Sequence, residues 1–255
     1  MLSPSLRTEN LAIRFGGHAA VNDVTAAFRP GELTVIVGPN GAGKTTWFNL
    51  VSGQLTPTSG RIFKGERDIT GLSPSARAKL GIGRAFQLTN LFPRLSVLEN
   101  VRLAVQSRAG QGHRPFARAA SLAGVTDKAM HYLAQTNLVA VADLPAAALP
   151  HGDQRKLEVA MLLAMEPQIF MFDEPTAGMS VDEAPVILDL IAQIKQDSAR
   201  TILLVEHKMD VVRALADRIV VLHNGELIAD GDPAEVMALP LVREIYLGIG
   251  AEEAA

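Results

Sequence analysis

Residues 38–46 read GPNGAGKTT and directly follow a short apolar run, LTVIV, at residues 33–37. The stretch matches the spacing G-x-x-x-x-G-K-[ST], in which glycines adopt backbone angles that a side chain would forbid, so that successive N–H groups point at the α- and β-phosphates of a nucleotide. The Lys44 ammonium would reach the β- and γ-phosphates, and the Thr45 hydroxyl would hold Mg²⁺. A helix beginning near Gly43 would turn its positive dipole end toward the anion. The sequence therefore predicts a strand, a phosphate-binding loop and a helix, in that order.

The composition sets wide limits around this loop. The chain has 255 residues, enough for one large domain or for one domain with an inserted subdomain. A net charge of -3 gives no global field that would favour nucleic acid or an anionic membrane surface. The lack of cysteine excludes a disulfide framework and thiolate metal sites. Residues 1–10 lack the features of a secretory leader and no apolar run is long enough to span a membrane, so we expect any membrane role to depend on a partner.

Strand-like and helix-like segments alternate along the chain, which favours an α/β fold built on a mostly parallel sheet. Four short runs have the continuous hydrophobicity of strands that are covered on both faces. The shorter apolar stretches at 11–15 and 24–28 suit an antiparallel sheet at the edge. We predict the four buried strands at Leu33–Val37, Ile169–Phe172, Ile202–Val205 and Ile219–Leu222.

Capping residues mark several helix starts. Two starts place an N-cap residue before a proline, and two match the capping box, in which a serine is followed three residues later by glutamate. Between about residues 87 and 149 the pattern is helical and contains no convincing buried strand, which predicts an inserted helical subdomain. The four starts are Ser73-Pro74, Asp232-Pro233, Ser96 with Glu99, and Ser180 with Glu183.

Two carboxylates, Asp173 and Glu174, end the apolar run at residues 169–172. They would lie at the carboxyl end of a buried strand, where open α/β sheets bind ligands. Asp173 would hold the Mg²⁺ hydration shell, while Glu174 could accept a proton from water that attacks the γ-phosphate in line. Together with the phosphate loop, these residues predict ATP hydrolysis.

Residues 149–155 read LPHGDQR and precede a helical pattern shortly before the acidic strand. This stretch resembles the signature loop of ATP-binding cassette (ABC) ATPases, and the other motifs of that family match the chain in order over nearly its full length. The runs GRAFQ at 83–87 and NLFP at 90–93, with EHKMD at 206–210, look most like the ATP-binding subunits of branched-chain amino acid type importers. The resemblance implies a RecA-like P-loop NTPase core with an antiparallel β edge subdomain and an inserted helical subdomain.

The resemblance also implies a role for each matching residue. Phe15 would stack on adenine, although its residue type fits a core position equally well. His207 would be the switch histidine, although a lone histidine at a strand end is as often a packed residue. Residues 177–180 would form the loop that crosses a dimer interface. The implied catalytic residues are Glu174, His207 and the lid glutamine Gln87; the implied metal site is Thr45, Gln87 and Asp173; the implied ATP-binding residues are Phe15, Gly38, Pro39, Asn40, Gly41, Ala42, Gly43, Lys44, Thr45, Thr46, Leu149, Pro150, His151, Gly152 and Asp153.

The chain departs from the family pattern at a few positions. The signature serine, which usually meets the γ-phosphate across a dimer interface, is replaced by Pro150, which has neither a hydroxyl nor an N–H. Asp153 stands in place of the common glutamine, a usual variant in this subgroup, and Ser180 stands at the interface aspartate. Met161, with Gly178-Met179, favours relatives that serve urea and short-chain amides.

The resemblance implies one ABC ATPase domain over residues 1–255, with the core and edge sheet at 1–88 and 156–255 and the helical subdomain at about 89–155. We therefore expect the motor subunit of an importer for branched-chain amino acids or related small solutes. Two such subunits, identical or paralogous, would close head to tail over two ATP molecules and act on membrane permeases. The permeases would receive solute from a periplasmic solute-binding protein, and the chain would be cytoplasmic and peripheral on the inner face of the cell membrane.

Three alternatives stay open at this point. A phosphotransferase would share the phosphate loop but would have no use for residues 149–155. A non-transport ABC ATPase acting on nucleic acid normally carries a long insertion or a second cassette. The arginines within residues 100–126 are better explained by a solvated connection, because aromatic residues for base stacking are nearly absent, and we expect no nucleic-acid partner. An exporter, such as one for lipopolysaccharide, is the closest alternative because its ATPase subunits are very similar.

Overall fold

The apolar run Leu33–Val37 forms a fully buried strand, β3, near the middle of a six-stranded sheet. The computed structural model describes residues 3–85, 91–108 and 119–247. Strand β3 pairs in parallel with β8 and β9, and β8 also pairs in parallel with β7, as expected for strands that are apolar throughout. The prediction of four buried, parallel strands is confirmed. The sheet order is β10-β9-β3-β8-β7-β6, with β6 at Ile82–Ala85, β7 at Ile169–Asp173, β8 at Thr201–Val205, β9 at Arg218–His223 and β10, antiparallel to β9, at Glu226–Gly231.

The predicted antiparallel edge sheet is also present. Its order is β2-β1-β4-β5, and every neighbouring pair runs antiparallel. Alternate residues of β1 are buried, because one face of this sheet covers the core while the other faces water. The strands are Leu6–Phe15 (β1), His18–Phe28 (β2), Ser59–Lys64 (β4) and Arg67–Asp68 (β5).

Three of the four predicted helix starts carry the expected cap. Ser73 Oγ accepts a hydrogen bond from the Ala76 N–H at 3.3 Å, and Ser96 Oγ accepts one from the Glu99 N–H at 3.1 Å. Asp232 caps its helix in the same way. The described helices are Lys44–Ser52 (α1), Pro74–Lys79 (α2), Val97–Arg108 (α3), Ala119–Gln135 (α4), His151–Ala164 (α5), Ala184–Lys195 (α6), Met209–Leu215 (α7), Pro233–Ala238 (α8) and Pro240–Leu247 (α9).

The chain folds into two compact units. The first comprises residues 1–82, 169–174 and 195–255, and the second comprises residues 83–168 and 175–194. In the second unit α3, α4 and α5 contribute to one apolar core. Among the described residues between 91 and 149, β structure is limited to one isolated bridge. The boundaries that we predicted for the helical subdomain, about 89–155, stay a prediction.

A buried arginine closes the carboxyl end of α1, the helix after the phosphate loop. Arg77 is 1% exposed, and its guanidinium donates to the carbonyls of Leu50 at 2.6 Å and Val51 at 2.7 Å, both in the last turn of α1. Two further bonds reach the carbonyls of Thr70 and Leu72. Burial lowers the pKa of Arg77 to about 10, so the group keeps its charge at neutral pH and satisfies the negative end of the helix dipole.

We expect Arg77→Ala to lower the free energy of unfolding by about 3 kcal/mol or more, because four carbonyls, two of them in buried bonds, lose the charged guanidinium donor. Urea unfolding would measure the loss. Lys79→Ala, an exposed change on the same helix, is the matched control, with an expected effect of about 0.5 kcal/mol or less. A loss below about 1 kcal/mol for Arg77→Ala would mean that the guanidinium does not hold this helix end.

Candidate functional site

The phosphate loop, residues 38–43, connects β3 to α1. Gly38 has φ 155° and Gly43, the N-cap of α1, has φ 96°. These angles are open to glycine but not readily to other residues. Packing adds a second constraint, since a Cβ on Gly38 would lie 2.2 Å from the Leu222 carbonyl oxygen, and one on Gly43 would lie 2.4 Å from that of Ala20. The loop is therefore set by β9 and β2 as well as by its own residues.

The turn between β9 and β10 supports the loop from the side. The Gly225 N–H donates to the Ala42 carbonyl at 3.0 Å, and the Asn22 N–H donates to the Gly225 carbonyl at 2.8 Å. We did not predict this contact from the sequence. Its local signal was the Asn224-Gly225 dipeptide between two apolar runs, which is typical of a tight hairpin turn.

Lys44 lies in the first turn of α1 and folds back over the loop. Its Nζ donates to the carbonyls of Gly38 at 2.6 Å and Pro39 at 3.0 Å. Burial lowers the pKa of the Lys44 ammonium, and the nearby carboxylates of Glu174 and Asp173 oppose that shift. This cation is therefore near enough to both predicted acids for their charges to affect its pKa.

Asp173 and Glu174 lie at the carboxyl end of β7, as predicted. Asp173 is 2% exposed, whereas Glu174 is half-buried. Glu174 has φ 48°, a left-handed angle that is uncommon for a residue with a side chain and that occurs often at functional sites. Its N–H donates to the Val205 carbonyl at 3.0 Å, so the strained backbone is anchored to the neighbouring strand.

His207 follows β8, the strand beside β7. Its Nδ1 lies 3.9 Å from Glu174 Oε1, and its side chain is 56% exposed, so it is not a packed core residue. The preceding Glu206 is buried, and its Oε1 accepts hydrogen bonds at 3.1 Å from the N–H groups of both His207 and Lys208. We did not predict a role for Glu206 from the sequence. A carboxylate directly before a histidine at a strand end was the only local signal.

The first unit therefore brings the phosphate loop and four predicted side chains to the carboxyl ends of β3, β7 and β8, where parallel sheets bind ligands. Phe15, at the end of β1, is 52% exposed and pairs with His18, so it is not a core residue either. Gln87 lies outside the described residues. The four residues that meet are Lys44, Asp173, Glu174 and His207.

In the second unit, the predicted signature loop leads into α5. Pro150 is the N-cap of this helix, with φ -56° and no side-chain bond to the helix end. Asp153 lies in the first turn, where the helix dipole favours an acid, and accepts a hydrogen bond from Lys156 Nζ at 2.9 Å. The Gln154 side chain donates to the Leu149 carbonyl at 2.9 Å, which closes the loop on itself.

No group of three or more histidine, cysteine, aspartate or glutamate residues in the described part of the chain could hold a metal ion. Within residues 3–85, 91–108 and 119–247, each helix is too short or too polar to cross a bilayer.

The chain matches known proteins over nearly its whole length. The family model described as ABC transporter matches residues 21–177. The high-affinity branched-chain amino acid transport ATP-binding protein LivG of Salmonella typhimurium is 39% identical, over 97% of this chain and 99% of the relative. The protein BraF of Pseudomonas aeruginosa, of the same description, is 36% identical over 97% and 99%. The lipopolysaccharide export system ATP-binding protein LptB of Acidithiobacillus ferridurans is 31% identical over 97% and 98%.

Solved structures of ATP-binding cassettes have the same fold. The ADP conformation of a cassette of an ABC transporter superposes with a TM-score of 0.79 at 29% identity, over 98% of this chain and 100% of the other. A dimeric cassette in a post-hydrolysis state, bound to ADP and Pi, superposes with a TM-score of 0.77 at 26% identity, over 89% and 98%. The predicted α/β fold with a RecA-like P-loop core is confirmed. The chain belongs to the ABC transporter family, as one of the nucleotide-binding cassettes that hydrolyse ATP.

Proposed function

We propose that this chain drives an importer for branched-chain amino acids or closely related small solutes, through membrane permeases to which it binds. The observation that carries the proposal is the similarity to LivG and BraF over nearly the full chain. An exporter is the second candidate. It is less favoured, because the identity to LptB, 31%, is lower than the identity to LivG or BraF. Urea and short-chain amides remain among the solutes to be tested, because of Met161 and Gly178-Met179.

In this proposal the first unit carries the chemistry. Lys44 leaves the two loop carbonyls that it now contacts and binds the β- and γ-phosphates, while the loop N–H groups bind the anion. Glu174 accepts the proton of the attacking water, and His207, beside it, contacts the γ-phosphate. Phe15, exposed at the end of β1, stacks on adenine.

The donor set suits Mg²⁺. The Thr45 hydroxyl and the Asp173 carboxylate are hard oxygen donors, and Asp173 lies close enough to Lys44 to affect its pKa. Magnesium in such sites takes one or two protein ligands and completes its shell with water and substrate phosphates. When bound, Mg²⁺ would neutralise phosphate charge. Gln87 is proposed as a further residue of the metal site on the basis of the resemblance alone.

A second cassette, identical or paralogous, completes the site in this proposal. The signature loop of one subunit, residues 149–153, faces the nucleotide on the phosphate loop of the other, and residues 177–180 cross the interface. The pairing of two cassettes is supported by the solved cassette that is dimeric and bound to ADP and Pi. A periplasmic solute-binding protein would deliver solute to the permeases, and the chain would lie on the inner face of the cell membrane.

Purification of the tagged chain from membranes, followed by identification of the co-purifying permeases, tests the proposal. We expect amino-acid permeases and a second cassette, and we expect uptake of labelled leucine, isoleucine or valine to depend on the chain. Labelled urea and acetamide are the comparison substrates. Recovery of lipopolysaccharide export components, or of no membrane protein, would contradict the importer.

Pro150 gives a separate prediction. A serine at this N-cap adds a hydroxyl that can bond to the γ-phosphate, a charged acceptor, so we expect Pro150→Ser to tighten ATP-dependent association of the cassettes about 10- to 100-fold. Analytical ultracentrifugation with and without ATP would measure it. Pro150→Ala, which removes the proline without adding the hydroxyl, is the control. A gain of the same size in the control, or no gain with serine, would contradict the assigned role.

If the second cassette is a paralogue with an intact signature serine, the two ATP sites should be unequal. The stronger site would combine Lys44 and Glu174 of this chain with the signature loop of the paralogue. We therefore expect Glu174→Gln to reduce transport more than the matching change in the paralogue does. Equal effects of the two changes would reject the asymmetry.

A further inference from the structure

The Glu183 carboxylate joins two loops of the second unit. Its Oε2 accepts hydrogen bonds from the Ser180 N–H at 3.1 Å and from the Ser180 hydroxyl at 2.9 Å. The capping box predicted at Ser180 is therefore half formed, because the hydroxyl donates to the carboxylate instead of accepting from the Glu183 N–H. This contact holds residue 180, at the end of the predicted interface loop.

The same carboxylate lies against Gly152 of the predicted signature loop. A Cβ on Gly152 would come within 2.4 Å of Glu183 Oε1 and 2.5 Å of Oε2, far inside van der Waals contact. Any residue with a Cβ at this place would force the carboxylate to move away. Gly152 lies in the first turn of α5, whose positive dipole end attracts an anion.

A lysine on α5 adds to the attraction. Lys156 Nζ lies 3.9 Å from Glu183 Oε1 and bonds to Asp153 at 2.9 Å. The Ser180 hydrogen bonds hold the pKa of Glu183 below its usual range, so the group is an anion at neutral pH. The interface loop and the signature loop are thus tied through one side chain that neither loop contains.

We propose that Glu183 is a positioning residue that sets Ser180 of the interface loop at a fixed place relative to Gly152 of the signature loop, so that both meet the second cassette in register. The inference rests on the proposed function, in which residues 149–153 and 177–180 face another cassette. Glu183 does not contact the nucleotide of its own subunit in this proposal. It acts on the partner's ATP, through the two loops.

Side-chain reach, more than charge, is what this role requires. Glutamine keeps the length of glutamate and offers a carbonyl oxygen to both Ser180 donors, whereas aspartate keeps the charge but is one methylene shorter. The two variants therefore separate a positioning role from a purely electrostatic one. Alanine removes both properties.

The test compares Glu183→Ala, Glu183→Asp and Glu183→Gln in the assembled transport complex. We expect kcat for ATP hydrolysis and ATP-dependent cassette association to fall about tenfold for alanine and aspartate, the scale of losing a hydrogen bond to a charged group. Glutamine should stay within about threefold of wild type. The affinity of the isolated chain for ATP should not change in any variant, because the phosphate loop lies in the first unit. Asp189→Ala, an exposed carboxylate on α6, is the control.

The positioning role would be overturned if Glu183→Ala hydrolysed ATP and associated as the wild type does. It would also be overturned if Glu183→Asp had a higher kcat and stronger ATP-dependent association than Glu183→Gln. If urea titration shows that Glu183→Ala does not fold, the comparison of Glu183→Asp with Glu183→Gln is the test. A wild-type complex that shows no ATP-dependent association would overturn the proposed function itself, and the inference with it.

Discussion

Replacement of Glu174 by glutamine will leave ATP bound but lower its turnover about 100-fold or more, the scale on which a positioned general base contributes. The variant keeps the size of the side chain but removes its negative charge and its ability to accept a proton. Its backbone should stay in place, since the left-handed φ of 48° is held by the bond to the Val205 carbonyl. Phosphate release by the assembled complex and nucleotide affinity by calorimetry measure the two effects.

A matched control is Glu235→Gln, the same change at an exposed position on α8. It should hydrolyse ATP at the wild-type rate. Wild-type turnover by Glu174→Gln would show that this carboxylate is not the base. Loss of ATP binding would show that it acts on the nucleotide instead of on water.

Replacement of Lys44 by alanine will weaken ATP binding by about 2 kcal/mol or more, which is about 30-fold in the dissociation constant. The side chain is buried, and its ammonium donates to the loop carbonyls of Gly38 and Pro39. The acids at 173 and 174 would then face the phosphates without this cation. Calorimetry with ATP measures the change.

Lys79→Ala on α2 controls for loss of a lysine from the first unit. Because Lys44 also donates to the carbonyls of Gly38 and Pro39, urea unfolding should accompany the titration, so that a folding defect is separated from a binding defect. Unchanged affinity in a folded variant would refute the role of Lys44.

Local patterns were enough to predict much of the fold. A buried parallel strand is recognised by its continuous hydrophobicity, as at 169–172, and a phosphate loop by the spacing of its glycines and lysine. Edge strands were harder to delimit. The predicted stretches at 11–15 and 24–28 are the ends of longer strands, Leu6–Phe15 and His18–Phe28, whose buried residues are interrupted by polar residues and alanines and so give no continuous apolar signal.

Residue types alone left two site residues open. Phe15 and His207 each fitted a buried position as well as a functional one, because an aromatic or imidazole ring packs in a core as readily as it binds a ligand. Exposure excludes the buried alternative, and exposure depends on the neighbouring strands; the functional roles stay predictions. Both side chains proved to be more than half exposed.

The sequence by itself determined the phosphate loop, the acid pair at the end of β7 and the family, because each depends on residues that are close together in the chain. Only the tertiary structure decided which distant groups hold those motifs in place. The Leu222 carbonyl against Gly38, the Glu183 carboxylate against Gly152 and the Arg77 guanidinium at the end of α1 are examples. Such contacts join residues that lie far apart in the chain, and they form only when packing brings separate elements within van der Waals distance, which no local pattern records.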